Sequence, residues 1–216
     1  MPGLNDNQPS DYREFSRLFV MHSSALHFLQ HSKKVVGIDN CHIKTFFHGS
    51  QCDIATLDAN SQLYILAYAR MGAENKDNME WVIKTFVASS PVQLSAVITD
   101  NGTSFLSMKN TCTQFPILDC GVHASWNAWR NKSEEATKYG VAWCKASSIK
   151  ALEKAEADIE ELFPGPTLTY LREHGKRLQY MEILKTNPDL CLFDMHTSNV
   201  AEIAHEGNKQ HYTSLY

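Results

Sequence analysis

The fold is decided by the stretch Val35-Val36-Gly37-Ile38-Asp39, read together with a second stretch, Ala96-Val97-Ile98-Thr99-Asp100. Each is a short apolar run of strand-forming residues that ends in an aspartate. A buried strand does not end in a carboxylate by preference, because an unpaired charge beside a core is energetically costly. Two such strands therefore predict that Asp39 and Asp100 together hold divalent metal ions. The alternative is that each aspartate caps a turn or a following helix.

The chain length and net charge limit the possible classes of protein. The chain has 216 residues, enough for one large domain or for one domain with an inserted subdomain. Its net charge of −4 does not indicate a duplex-DNA binder, which usually carries a strongly basic face. A local basic face remains an alternative to solvated surface charges, and its candidate residues are Lys44, Lys109, Arg130, Lys132 and Lys138.

The cysteines and the N-terminus predict an intracellular protein. Six cysteines are scattered without a CxxC pair, which is typical of reduced thiols in the cytosol or nucleus. Residues 1–10 are polar and predict a disordered leader, with no signal peptide. No run reaches the roughly 18 apolar residues of a membrane helix, so no membrane partner is expected.

Apolar periodicity predicts that strands and helices alternate up to residue 120 and that helices follow from 124 to 179. The loop Asp58–Ser61 separates two apolar runs and predicts a β-hairpin. The predicted elements, in order, are a helix over roughly 11–31, strands over 34–39, 52–57 and 63–69, a helix over 75–89, a strand over 95–99, a helix over 104–112 and a strand over 117–120.

This order matches a ribonuclease H-like α/β fold, a mixed sheet flanked by helices. We expect one domain over residues 11–216, with an α-helical insertion at about 124–190 before the last catalytic helix. In that fold the first strand is central and the fourth lies beside it, which would bring Asp39 and Asp100 together. A third carboxylate usually comes from the final helix.

Five stretches, in the same order, resemble the catalytic domain of Mutator-like (MULE) transposases, a eukaryotic DDE family. The resemblance covers about residues 14–208, although Cys41 replaces the family's usual Thr and His205 stands where Asn is frequent. The matching stretches are Ile38–Lys44, similar to I-D-x-T-H-x-K; Asn60–Ala69 with Glu74, Asn75 and Trp81; Val97–Gly102; Cys120–His123 with Trp126 and Asn127, similar to CxxH; and Thr197–Glu202, similar to T-S/T-N-x-A-E.

The resemblance implies a DNA transposase that hydrolyses a phosphodiester and then joins the freed 3′-hydroxyl to a new strand. Asp39, Asp100 and Glu202 would be the catalytic residues and the ligands of two Mg²⁺ or Mn²⁺ ions, with Asp39 bridging both ions. Other acids compete with Glu202 for the third position. They are Glu206, one turn further on, and Glu153, Glu156 and Glu160, which a charged, solvated helix face explains better.

Three further residues are candidates for substrate binding. His42 would orient a phosphate or a water, or else be a partly buried hydrogen-bonding histidine, and Lys44 belongs to the same motif. Trp126, with Trp129 and Trp143, would stack on a flipped base, but aromatic residues at helical spacing are more often part of the core.

Cys120 and His123 have the spacing of half a zinc site, so Zn²⁺ is a second candidate cofactor. The other half is not evident, and the alternative we favour is a structural turn that packs the insertion against the sheet. A thiol–imidazole nucleophile pair would need a third, orienting group that the sequence does not offer.

The expected partners are DNA, as transposon ends and target duplex, and further copies of the chain in the active assembly. The expected location is the nucleus. The zinc-binding and SWIM-type modules that flank the family's catalytic domain are not seen, so the alternative function is a catalytically inactive, domesticated DNA-associated regulator. A nuclease acting on RNA–DNA hybrids is a third possibility, against which the long helical segment argues.

Overall fold

The computed structural model describes residues 16–43, 48–100, 102, 104–105, 108–109, 112, 114–130, 134–174, 180–192 and 195. They form an α/β structure in which helices flank a six-stranded mixed sheet, as expected. The strands are β1 (Arg17–Met21), β2 (Val35–Ile43), β3 (Gly49–Leu57), β4 (Leu63–Met71), β5 (Ala96–Thr99) and β6 (Ile117–Asp119). Their spatial order is β1-β4-β3-β2-β5-β6; the first four are antiparallel neighbours, and β5 and β6 are parallel to β2.

Seven helices have bounds within the described residues, two before β5 and five after β6. They are α1 (Ser23–His31), α2 (Lys76–Ser89), α3 (Gly121–Trp129), α4 (Glu134–Lys145), α5 (Ile149–Leu162), α6 (Pro166–His174) and α7 (Tyr180–Thr186). The helical pattern predicted after residue 124 is thus confirmed where the chain is described. None of these helices has the length and apolar content needed to cross a membrane.

The helix predicted over 11–31 is wrong at Arg17–Met21. Residues Arg17–Met21 form strand β1 and pair with β4, and the helix begins only at Ser23. Apolar residues at helical spacing also include the continuous run from Leu18 to Met21, and pairing with the edge of a sheet overrides a weak helical preference there. His22 caps α1, since its side chain accepts a hydrogen bond from the Ser24 amide. The predicted leader over 1–10 lies outside the described residues.

The predicted hairpin and the helix after it are confirmed. Strands β3 and β4 pair antiparallel, and Asp58 Oδ1 accepts the amide N–H groups of Asn60 and Gln62, each at 2.8 Å, in the turn between them. Helix α2 starts after Asn75, whose side chain accepts the Asn78 amide at 2.9 Å. These short polar side chains stop each element where the backbone would otherwise leave N–H groups unsatisfied.

Alternating side chains of the sheet feed two hydrophobic cores. Val36 and Ile38 contribute to the core under α1 and α2, whereas Val35 and Ile98 contribute to the core on the other face, under α3 and α7. Period-two alternation of this kind makes a strand apolar on both faces when both are covered. A third core lies among α3, α4, α5 and α6, so these helices also pack on one another.

Helix α3 and helix α4 approach each other at a glycine. A Cβ added at Gly140 would lie 2.0 Å from Ser125 Oγ and 2.5 Å from Ser125 Cβ, well inside contact distance. Glycine is therefore required for this helix pair to pack at its observed separation.

We predict that Gly140→Ala destabilises the protein by about 1–3 kcal/mol, because the new methyl group overpacks the α3–α4 interface. In an unconstrained helix the same change stabilises by up to about 1 kcal/mol, so the sign is diagnostic. Urea unfolding monitored by circular dichroism measures it. The matched control is Gly72→Ala, where a Cβ meets nothing within 4 Å. An equal effect at both positions would contradict the packing described.

Candidate functional site

The parallel pairing of β2 with β5 brings Asp39 and Asp100 side by side. The last registered pair is Ile38 with Thr99, and the next residue on each chain is an aspartate. Neighbouring strands lie about 4.8 Å apart, so the two carboxylates lie side by side at the edge of the sheet where the carboxyl end of β5 stops. Asp39 is 8% exposed and Asp100 is half-buried.

The expectation that both aspartates terminate strands is correct only for Asp100. Strand β2 continues past Asp39 to Ile43, because β3 goes on pairing with it as far as Gly49. Asp100 follows β5 directly, and its Oδ1 accepts the Gly102 amide at 3.1 Å. Asp100 therefore has the turn-capping role that is the alternative interpretation of these aspartates.

Asp53 is a carboxylate of this edge that sequence reasoning missed. It lies directly opposite Asp39 in the β2–β3 register, so both side chains point to the same face of the sheet. Asp53 is fully buried, and Gln51 Nε2 donates to its Oδ1 at 2.9 Å. Like charges directly opposite one another are destabilising, so this pair concentrates negative charge on one face of the sheet. The available signal was a carboxylate inside a predicted buried strand.

The pKa of a buried thiol reports the charge of this region. Burial raises the pKa of Cys52 well above its ordinary value, and the negative charges of Asp53, Asp39, Glu74 and Asp100 raise it further. These four carboxylates, here called the acidic edge, therefore lie within electrostatic range of one thiol. Their collective potential attracts cations.

Glu74 joins the acidic edge from the loop before α2. Its Oε1 accepts a hydrogen bond from Ser104 Oγ at 2.9 Å, which ties this loop to the helical residues that follow Asp100. In the sequence, Glu74 belongs to the second resemblance motif, which assigns it no role.

A buried cation holds the backbone of Asp100. The Lys109 ammonium donates to the Asp100 carbonyl oxygen at 2.8 Å and forms an ion pair with Asp119 at the end of β6. The Lys109 side chain is fully buried, so the expectation that it belongs to a basic surface or is a solvated charge is wrong. The ion pair with Asp119, a residue that no sequence motif singles out, holds the Lys109 ammonium in the interior.

Cys120 and His123 lie beside the acidic edge. Cys120 is the residue before α3, and its amide donates to the Thr99 carbonyl oxygen at 2.7 Å. Burial lowers the pKa of His123, but its hydrogen bond with Cys120, followed by the charges of Cys120, Asp39 and Asp100, outweighs burial, and the net pKa lies above the ordinary value. The turn thus links α3 to the ends of β5 and β6.

The described residues contain no group of three or more histidine, cysteine, aspartate or glutamate side chains arranged to hold a metal ion. A zinc site at Cys120 and His123 therefore gains no further ligand within them. Glu202 and Glu206, the candidates for the third carboxylate, lie outside the described residues, as do Lys44 and Lys132.

His42 is not brought together with Asp39. Residues three apart in a strand point to opposite faces, and His42 is exposed. Its neighbour on that face, Asn40, donates from Nδ2 to Met79 Sδ of α2 at 3.4 Å. His42 therefore lies on the α2 side of the sheet.

Of the three tryptophans, Trp143 is buried in the core, whereas Trp126 and Trp129 are half-buried. Trp143 is only 3% exposed, so base stacking is wrong for it and the core interpretation is confirmed. Trp129 packs edge-on against Phe163, with ring centroids 5.3 Å apart. Trp126 is half-buried, donates from Nε1 to Thr137 Oγ1 at 2.8 Å and contacts the His123 ring. Of the three, only Trp126 contacts His123, which lies beside the acidic edge.

The rival acids on α5 do not reach the acidic edge. Glu156 accepts hydrogen bonds from Arg172, which lower its pKa, and from Trp143. Glu153 and Glu160 are exposed. The interpretation of this segment as a charged, solvated helix face is confirmed.

No protein-family model matches this chain, and no curated protein matches it. The function is therefore inferred from the sequence motifs and the geometry of the acidic edge.

We predict that Lys109→Met destabilises the protein by about 3–5 kcal/mol, because it leaves the Asp119 carboxylate buried without its cation. Adding Asp119→Leu should restore most of the loss, since an apolar pair of similar volume replaces a buried ion pair without a large cost. Urea unfolding of the single and double variants measures this. The control is Lys84→Met, in the exposed Glu80–Lys84 pair, which should not shift the midpoint. Additive effects in the double variant would rule out the pairing.

We predict that Cys52 and Cys144 resist alkylation at pH 8 while Cys191 reacts. Burial, followed by the charges of Cys120 and Asp119, raises the pKa of Cys144 to about 12, so about one thiol in ten thousand is ionised at pH 8. Cys191 is exposed. Peptide mapping by mass spectrometry after a short iodoacetamide pulse, with and without denaturant, separates the three. Rapid native labelling of Cys52 would be inconsistent with the core described.

Proposed function

We propose that this chain carries the catalytic domain of a MULE-type DNA transposase, a ribonuclease H-like enzyme that cleaves and joins phosphodiesters. The observation that supports it most is the register of β2 with β5, which makes Asp39 and Asp100 neighbours. Two aspartates far apart in sequence, each within one of the resemblance motifs, meet at one edge of the sheet. That is the arrangement expected of the first two acids of a DDE site.

The strand order supports the ribonuclease H-like assignment. The expected first strand, β2, lies inside the sheet, with the antiparallel hairpin β3–β4 on one side and the parallel strand β5 on the other. Helices α3–α6 follow β6, as an insertion before a last helix would. Strand β1 adds one edge strand to the expected pattern.

The donor set fits Mg²⁺ or Mn²⁺. Carboxylate oxygens are the ligands that these ions prefer, and the burial of Asp39 directly opposite Asp53 favours a cation there. We propose Asp39 and Asp100 as ligands, with Glu202 as the third carboxylate. When bound, two such ions supply activation of the attacking oxygen and charge stabilisation of the leaving oxygen.

The chain's own residues would orient the reacting groups. Lys109 fixes the backbone at Asp100 through its bond to the carbonyl oxygen, and β3 holds Asp39 from the other side. His123, hydrogen-bonded to Cys120 beside the acidic edge, is the proposed contact to a phosphate. Trp126, beside His123, is the proposed stacking residue for a base at the cleaved end, and Lys44 and His42 are proposed contacts to the DNA backbone.

The partners follow from this chemistry. Cleavage and joining at both ends of one element require transposon ends, a target duplex and at least two catalytic domains. We therefore propose a homo-oligomeric, DNA-bound active form located in the nucleus.

We predict that Asp39→Asn and Asp100→Asn each lower the rate of Mn²⁺- or Mg²⁺-dependent nicking about 100-fold or more, because each removes a charged metal ligand. The assay measures nicking of a supercoiled plasmid and of a duplex carrying terminal inverted repeats. The matched control is Asp189→Asn: this aspartate is exposed and shares a cleft with Lys34 and Ser95, which precede β2 and β5 at the opposite edge of the sheet.

Two further variants test the third acid. Glu202→Gln should abolish nicking, whereas Glu206→Gln should leave it measurable. A folded wild-type chain that binds the duplex but never nicks it in either metal would overturn the enzymatic proposal in favour of a domesticated regulator. Equal losses in Asp39→Asn and Asp189→Asn would do the same.

A further inference from the structure

Two exposed histidines lie one turn apart on the outer face of α1. His27 and His31 are separated by four residues, their ring centroids are 5.1 Å apart, and the ring planes are nearly perpendicular, at 89°. On an α-helix, residues i and i+4 share a face. This histidine pair is therefore presented to solvent as a unit.

We propose that His27 and His31 form a binding site for a divalent first-row transition ion such as Zn²⁺. Imidazole nitrogen suits zinc, nickel and copper, and histidines at i and i+4 on a helix supply two ligands to one zinc ion in metalloproteases. Two ring nitrogens at the zinc–nitrogen distance lie about 3.3 Å apart. Rotation of two exposed rings with centroids 5.1 Å apart reaches that separation.

A carboxylate lines the same cleft. His27 and His31 border a cleft of about 450 Å³ with Asp58 and Asn60 of the β3–β4 turn and with Tyr64. Both hydrogen bonds that Asp58 accepts within the described chain go to Oδ1, so its Oδ2 is available to a cation. The described residues offer no preformed three-ligand group here, so the two imidazoles are the proposed protein ligands, with water completing the coordination and Asp58 adding negative charge to the cleft.

The neighbouring histidine, His22, is already hydrogen-bonded to Ser24. His22 Nδ1 contacts Ser24 Oγ at 2.8 Å and accepts the Ser24 amide at 3.2 Å, so this ring serves as the cap of α1. Ser24 Oγ in turn contacts the Tyr64 hydroxyl at 3.0 Å, which fixes α1 against β4. These contacts hold His27 and His31 over the cleft.

The cleft is distinct from the acidic edge. Asp58 follows β3 next to the start of β2, where Thr56 Oγ1 donates to the Val35 carbonyl oxygen at 2.7 Å. The acidic edge begins at Asp39, further along β2. The two sites also differ in chemistry, because one offers imidazoles and the other only carboxylates. A metal at His27 and His31 would join two successive turns of α1 and stabilise that helix.

The test is isothermal titration of the full chain with Zn²⁺, in excess Mg²⁺ to fill oxygen-ligand sites and with Cys191→Ser to remove the exposed thiol. We expect one Zn²⁺ bound, with the affinity lowered at least about tenfold by His27→Ala and by His31→Ala. Asp58→Asn, which keeps the Oδ1 acceptor, should have a smaller effect. The control is His48→Ala, an exposed histidine before β3, which should bind as the parent does.

A second readout separates binding from misfolding. Zn²⁺ should raise the thermal midpoint of the parent and of His48→Ala but not that of the His27→Ala/His31→Ala double variant, whose circular dichroism should match the parent. Unchanged zinc affinity in the folded double variant would overturn the site. So would an equal loss in His48→Ala, which would indicate nonspecific binding.

Discussion

The parallel pairing of β2 with β5 is the constraint on which the rest of the structure depends. It joins the antiparallel half of the sheet to the parallel half and creates two covered faces, each with its own core. Because parallel strands keep their ends in step, the same pairing fixes Asp39 next to Asp100. Sliding this register by one residue would turn the apolar side chains of β2 to the wrong faces, so the two cores enforce the position of the aspartates.

The distribution of buried charge gives this edge its character. Four carboxylates lie within electrostatic range of Cys52: Asp39 and Asp53 inside the β2–β3 pair, Asp100 after β5 and Glu74 before α2. The buried ammonium of Lys109 instead binds Asp119 and a backbone carbonyl. Lys109 therefore shapes the loop after β5 without neutralising the four acids directly. The summed negative charge of such an edge attracts cations and repels a DNA phosphate.

The helical block joins the sheet at the Cys120 turn, packs on it through α3 and α7, and is further held by its own core. Cys120 bonds to the end of β5, His123 lies over the acidic edge, and Gly140 lets α4 approach α3. Further out, Arg172 of α6 pairs with Glu156 of α5, and Trp143 fills the core between the helices. Movement of this block relative to the sheet would act on the site through Cys120 and His123.

The sequence by itself determined the α/β class, the hairpin, α2, β5, β6 and the helical character of the second half, because these depend on local periodicity and on short polar caps such as Asn75 and Asp58. Strand β1 could not be predicted from the sequence, because pairing with a distant strand decides between helix and strand in a short apolar run. Only the tertiary structure decided that Asp53 faces Asp39, that Lys109 is buried against Asp119 and that His42 lies on the other face of the sheet. Each of these depends on cross-strand register or on long-range charge pairing. Neither leaves a periodic signal along the chain.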